Sequence, residues 1–368
     1  MSTFAGRLVR WQARHGRHHL PWQKTRDAYR VWLSEVMLQQ TQVATVIPYY
    51  ERFLARFPDL KSLAHAPLDE VLALWSGLGY YSRARSLHAA AQVVVESYRS
   101  RFPRTREALA SLPGVGRSTA AAIAVFAFGG REAILDGNVK RVLARHFAVR
   151  GYPGDKRIED RLWKIAEAQL PAKSIKRYTQ ALMDLGAGVC TRNRPACPSC
   201  PLRMSCEAHA RGKAQAYPAP RPRRVLPRRE TSMLLILREG EVLLEKRPPT
   251  GVWGGLWCLP EMPVGADPRE VCERRFGAKR IHATRLPLLR HGFTHFTLDV
   301  IPVVCRVELA ASLLAEPGQL WLVPEEAAQA AIPAPVRKLL AALKNVVIPA
   351  QAEIQEARTA AGSPLSRG

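Results

Sequence analysis

The chain has 368 residues, long for one core and comfortable for two domains, and its 47% hydrophobic content is ample for burial. Its 55 basic and 31 acidic side chains leave a net charge of +24, which calls for a polyanionic partner: nucleic acid first, an anionic membrane surface second. There is no run of 18 apolar residues and no signal-peptide core near the start, so the expectation is a soluble cytoplasmic protein; seven cysteines, four of them bunched, do not suit a disulfide framework at this size.

The first segment is basic and rich in histidine, Arg14-His15-Gly16-Arg17-His18-His19, which reads as solvated surface, and then comes Leu20-Pro21-Trp22-Gln23. From Asp27 the pattern turns helical. Val31, Trp32, Glu35 and Leu38 recur at helical spacing, which sets an acid in an apolar stripe. Such a glutamate is either an edge residue reaching water or an arginine, or a buried acid with a raised pKa. Gln39, Gln40, Thr41 and Gln42 follow, a dense set of groups able to read base edges. Further helices are expected near residues 48–57 and 69–76. Gly77-Leu78-Gly79-Tyr80-Tyr81 is then an exposed turn whose aromatics could enter a base stack or close a core.

Leu112-Pro113-Gly114-Val115-Gly116 is a tight hairpin whose Gly114 and Gly116 bare backbone amides for a phosphate; Ser118 to Phe128 is apolar enough for a buried helix that Gly129-Gly130 stops. In Asp136-Gly137-Asn138-Val139, Asp136 stands at the N-cap of another helix; the residues alone allow an ordinary cap or a catalytic acid. Residues 157–189 give two more helices, the second carrying Gln180. Cys190, Cys197, Cys200 and Cys206 then follow the spacing C-x6-C-x2-C-x5-C. Four thiolates so close can enclose a zinc ion or a [4Fe-4S] cluster.

Residues 210–229 hold seven basic side chains, no acid and four prolines, which reads as an extended linker lying along DNA. Beyond it, Met233 to Leu237 and Glu241 to Lys246 predict a strand hairpin turning at Arg238-Glu239-Gly240. A helix near Arg269 to Arg275 and an apolar strand through Val304 come next. Residues 345–368 read as a tail.

The hairpin followed by the Asp136 segment resembles the helix-hairpin-helix signature of DNA glycosylases, the superfamily of endonuclease III and the adenine DNA glycosylases (MutY). Trp32-Leu33-Ser34-Glu35-Val36-Met37-Leu38-Gln39-Gln40-Thr41-Gln42 resembles the adenine DNA glycosylase segment that carries the catalytic glutamate. The likeness spans residues 5 to 340. It implies a multidomain chain: an all-α helix-hairpin-helix glycosylase domain with an iron-sulfur loop over 1–209, the linker over 210–229, an α+β Nudix-like domain over 230–344, and the tail. It implies a monomer acting on double-stranded DNA with adenine opposite 8-oxoguanine or guanine, and a [4Fe-4S] cluster on the four cysteines. Glu35 would protonate the base and Asp136 would stabilise the cationic sugar, with helix amides lowering the pKa of Asp136. Trp22, Gln39, Gln40, Gln42, Gly114, Gly116, Ser118, Asn138 and Gln180 would contact DNA or the base, and Tyr80 would wedge into the duplex. Lyase members of the superfamily carry a lysine where this chain has Ser118, which cannot form a Schiff base. In the Nudix-like part Gly255, Glu261, Arg269, Glu270 and Glu273 fall at the separations of a Nudix box, yet Arg274 stands in place of a metal-binding glutamate and Phe276 in place of a glycine. The resemblance therefore implies a recogniser of 8-oxoguanine through Phe293-Thr294-His295, whose threonine replaces the usual serine.

Overall fold

The structure is a computed structural model that describes residues 3–222, 225–309 and 316–343; the expected tail, along with Arg223 and Arg224 of the linker, lies outside them. In chain order the elements are α1 (Phe4–His15), α2 (Ala28–Met37), α3 (Val43–Arg56), α4 (Leu60–Ala64), α5 (Leu68–Trp75), α6 (Ser82–Ser97), α7 (Arg106–Ala110), α8 (Arg117–Phe128), α9 (Gly137–His146), α10 (Lys156–Ala168), α11 (Ile175–Asp184) and α12 (Glu207–Ala210). Then come β1 (Arg228–Arg238), β2 (Glu241–Lys246), β3 (Trp257–Cys258), β4 (Glu261–Met262), α13 (Pro268–Phe276), β5 (Ala278–Arg285), β6 (Leu289–Gly292), β7 (Thr297–Leu309), β8 (Gln319–Leu322) and α14 (Pro324–Ala327). A last helix covers 334–343.

Contacts divide the chain into two units. The first joins Met1–Ala66 to Ser82–Arg224; the second joins Pro67–Tyr81 to the chain from Val225 onward. Residues 67–81 thus belong with the second unit although the sequence places them among the helices. Ser76 Oγ and Tyr81 Oη donate to the Ile332 carbonyl at 3.1 and 2.9 Å, Arg337 donates to Ser76 Oγ at 2.6 Å, and Lys246 pairs with Asp69.

The first unit is helical. Its core gathers Leu8, Val31, Ala121, Val125, Val139, Leu143, Leu162, Tyr178 and Leu182, contributed by α1, α2 and α8 to α11. The hairpin packs on α6: Gly114 has φ +74°, and a Cβ there would meet the Ser86 Cβ at 2.6 Å. Two demands, a left-handed backbone and a close approach, therefore reserve this position for glycine. Gly116 opens α8 with nothing within 4 Å of where its Cβ would stand, so that helix start faces open space.

The second unit is a mixed sheet in the order β3-β2-β1-β7-β5, with β8 on β2, β6 on β7 and β4 on β1. The β1–β7 pair is parallel and the others are antiparallel. Both faces of the sheet are covered, which explains why β1 carries five consecutive apolar residues. Leu234, Ile236 and Val303 pack with Val271, Cys272 and Phe276 of α13, while Met233, Leu235 and Val300 pack with Val336, Leu339 and Leu340 of the last helix. The expected linker ends in this sheet. Arg228 sits on β1 and, with Arg290 of β6, holds the wholly buried Asp299 carboxylate of β7.

Candidate active site

The helical unit carries an open cavity of about 490 Å³ whose wall includes Trp22, Gln23, Glu35, Phe126, Gln180 and Met183. Its volume leaves ample room for a purine base. Glu35 reaches it because Val31, Ser34, Glu35 and Leu38 form the stripe of α2 that faces the cavity. Trp32, expected on the same stripe, turns the other way: it is completely buried, its ring 5.3 Å from that of Phe102. Burial first, and the Asp136 charge second, push the Glu35 carboxyl up to about 8. At neutral pH it carries a proton to give.

Asp136 is the N-cap of α9. Its Oδ1 accepts from the Val139 amide at 2.7 Å, and the Asn138 amide and the Arg141 charge also favour its ionised form. Even so, burial outweighs them and holds its pKa above the usual aspartate range, against the lowering expected from the helix amides alone. Ser118, expected to contact DNA, also ties α8 to the residue before Asp136: its Oγ accepts from the Leu135 amide at 2.9 Å.

The other expected contacts divide. Trp22 is buried, edge-on to Tyr50 at 5.4 Å. Gln39 donates to Thr119 Oγ1 at 3.3 Å, bracing α2 against α8, while Arg83 takes the carbonyls of Val36, Met37 and Gln39 at 3.0, 2.8 and 2.6 Å. Gln40, with φ +57°, and Gln42 are left exposed at the surface. Tyr80, in the second unit, is 45% exposed with φ +49°, a costly backbone for a bulky residue that keeps its ring outside the core. The structure also brings in residues that were not expected, two on the cavity wall and one behind it. His18, read as solvated surface, lines the cavity with Nε2 at 3.0 Å from the Gln12 carbonyl. Gln23 brings a buried amide with neither end hydrogen-bonded. Asp184, behind the wall, accepts from Gln180 Nε2 at 2.9 Å and pairs with Arg17.

The four cysteines line one small cavity walled by Val142, Leu185, Val189 and Leu202. Among the described residues no three His, Cys, Asp or Glu form a group that could hold one metal ion. This loop is joined to the start of α9, where Asp136 and Asn138 stand. Arg141 donates to Asn138 Oδ1, the Gly186 carbonyl and the Cys190 carbonyl at 2.7, 2.7 and 2.8 Å. Arg145, only 2% exposed, reaches Cys190 Sγ at 3.2 Å and the Thr191, Arg192 and Tyr217 carbonyls at 2.6, 2.9 and 2.8 Å.

In the second unit Phe293 stacks on Phe296 with ring centres 4.3 Å apart, inside a turn closed by the Phe293 amide on the Phe296 carbonyl. Thr294 Oγ1 and His295 Nδ1, 3.3 Å apart, stand exposed at its tip. Arg274 is exposed, and the arginine that meets a glutamate of the Nudix-like box is Arg247, while the neighbouring Arg275 takes Glu245 of β2. Arg275 grips Glu245 at 2.9 and 3.0 Å, and Arg247 pairs with Glu261 at 2.8 Å.

Residues 33–168 match the model of the HhH-GPD superfamily base excision DNA repair protein, and residues 232–342 match that of the NUDIX domain. An adenine DNA glycosylase of Buchnera aphidicola is 35% identical over 93% of this chain and 98% of its own length. The chain belongs to the adenine DNA glycosylase family. The Homo sapiens adenine DNA glycosylase is also 35% identical, over 92% of this chain and 73% of the relative. A thermostable thymine-DNA glycosylase of known structure is 30% identical and superposes with a TM-score of 0.52, covering 56% of this chain and 95% of that one. The chain is therefore a DNA glycosylase, a hydrolase of N-glycosyl bonds, with a helical HhH-GPD domain and a Nudix-like domain. Among the described residues no helix is long and apolar enough to cross a membrane.

Proposed function

We propose that the chain removes adenine mispaired with 8-oxoguanine or guanine from double-stranded DNA, leaving an abasic site, as a monomer in the cytoplasm. One observation carries the reading: a carboxyl group that keeps its proton at neutral pH stands on the wall of a cavity with room for a purine, within reach of the charge of a second, hydrogen-bonded carboxylate. Adenine leaves poorly as an anion, so a proton from Glu35 to its N7 makes departure possible once the base is flipped into the cavity. The sugar left behind is cationic. Asp136 stabilises it by charge or captures it, because the amides and Arg141 that favour its ionised form have no counterpart at Glu35. Gln40, Gln42, Gly116 and the wedge Tyr80 serve DNA contact, while Thr294 and His295 read the opposite base. The Arg247–Glu261 pair, together with Arg274 in place of a metal-binding glutamate, favours this reader's role over Mg2+ chemistry.

The four cysteines are the residues that would hold a [4Fe-4S] cluster: all four line one cavity, and Arg145 stands against the first of their sulfurs. When bound, the cluster would be structural. Cys190, Cys197, Cys200 and Cys206 would hold it, and Arg145 would keep the first of these sulfurs in place.

The test is single-turnover cleavage of duplexes with adenine opposite 8-oxoguanine, guanine, cytosine and thymine, analysed before and after alkali. Fast base loss with the first two, and strand breaks only after alkali, are expected. Equal rates opposite thymine and 8-oxoguanine would overturn the specificity, and breaks without alkali would overturn the hydrolase-only reading.

A further inference from the structure

We infer that Asp184 is a positioning residue that decides which end of the Gln180 amide faces the cavity, and through it which purine the cavity accepts. The inference rests on the adenine reading above. Asp184 is 4% exposed, and each carboxylate oxygen is engaged. Oδ1 accepts from Gln180 Nε2 at 2.9 Å and from Arg17 Nε at 2.7 Å, and Oδ2 accepts from the Arg17 amide at 3.0 Å. Arg17 and Gln180 line the cavity, whereas Asp184 stands behind them. Arg17 grips Asp184 from both its backbone and its side chain, so the carboxylate cannot swing away.

A carboxylate only accepts hydrogen bonds. Gln180 must therefore turn Nε2 to Asp184, and Oε1 is left as an acceptor on the cavity side. The orientation follows from chemistry, whichever way an amide is drawn. An acceptor at this place suits a purine with an exocyclic amine, as adenine has at position 6. Hypoxanthine offers a carbonyl oxygen there, and two sets of lone pairs would face each other. To bind it, Gln180 would have to reverse its amide and lay Oε1 against the Asp184 carboxylate. Asparagine at 184 keeps the shape but can donate, so Gln180 becomes free to show either end.

The experiment measures single-turnover excision of adenine and of hypoxanthine opposite the same base in the full-length protein. Native chain, Asp184→Asn, Gln180→Ala and the double variant are compared. Taking the ratio for each protein against the native ratio cancels the intrinsic lability of the two bases. The adenine preference should fall tenfold or more in Asp184→Asn and by a similar factor in Gln180→Ala. On the Gln180→Ala background, Asp184→Asn should change the ratio by less than about twofold. A folded Asp184→Asn that keeps the native ratio overturns the inference; so does an equal loss with Gln180 already removed, which would route the effect through Arg17. Should the asparagine variant not fold, Asp184→Ser, whose hydroxyl also donates, carries the same expectation. Failure of the native chain to excise adenine from any duplex would instead strike the proposed function, and the native arm alone reports it.

Discussion

Glu35 and Asp136 lie in one water-poor corner of the helical unit, and burial acts on both in the same direction, towards protonation. The Val139 and Asn138 amides bond only to Asp136, so the first proton to leave the pair comes from Asp136 and its charge then holds the second on Glu35. The single-turnover rate should fall as pH rises through about 8, where Glu35 loses its proton. Because the Asp136 pKa is raised as well, the acid limb should lie higher than an ordinary aspartate would place it, giving a narrow bell. Glu35→Gln should bind mispaired duplex normally and excise about 10²–10⁴-fold more slowly; excision near the native rate would assign Glu35 a merely structural place. Stability gives an independent check. A raised folded-state pKa stabilises fully below the unfolded value of 4.5, and that contribution is lost as pH rises towards 8. Relative to Glu35→Gln, the native chain should therefore lose up to about 1.4 kcal/mol per pH unit across that window in urea titrations.

Between elements, the corner is set by how closely the turn after α11 approaches the start of α9. A Cβ on Gly186 would meet the Asn138 Cβ at 2.5 Å, while the Gly186 carbonyl takes Arg141. Gly186→Ala should displace Asn138, cost about 1–3 kcal/mol in denaturant melts and slow excision without weakening DNA binding. Much of this level was legible in the sequence. Helical spacing found α2 and its acid, the N-cap rule placed Asp136, and cysteine spacing marked the loop. Spacing alone could not say which neighbour of Glu35 turns into the core, and Trp32 took that place. It could not weigh helix amides against burial at Asp136, because burial is a property of packing. His18 and Gln23 lie beside and in a short turn with no period to read, so composition made His18 look like surface and gave Gln23 no role. Asp184 had a signal, four residues after Gln180 on one helix face, whose meaning depended on Arg17 from far away in the chain.

For the whole molecule, the consequence lies in Pro67–Tyr81. Val71, Leu72 and Trp75 of α5 are completely buried, and the segment's partners Lys246, Ile332 and Arg337 lie in the second unit. A chain stopped before β1 should therefore lose more than a reader of the opposite base. Limited proteolysis should cut it within 67–81 while leaving that stretch of the full-length protein intact; equal protection in both would show that α5 needs no partner. The same arrangement sets a timetable for synthesis. A ribosome adding roughly 5–20 residues per second finishes Tyr81 and then needs about 7–30 s to make the 144 residues up to Val225, 225 minus 81, before the first strand of the second unit begins. Throughout that interval Ser76 and Tyr81 wait for the Ile332 carbonyl and Asp69 for Lys246, so the polar ties that hold Pro67–Tyr81 form only after the distant half of the chain has been made.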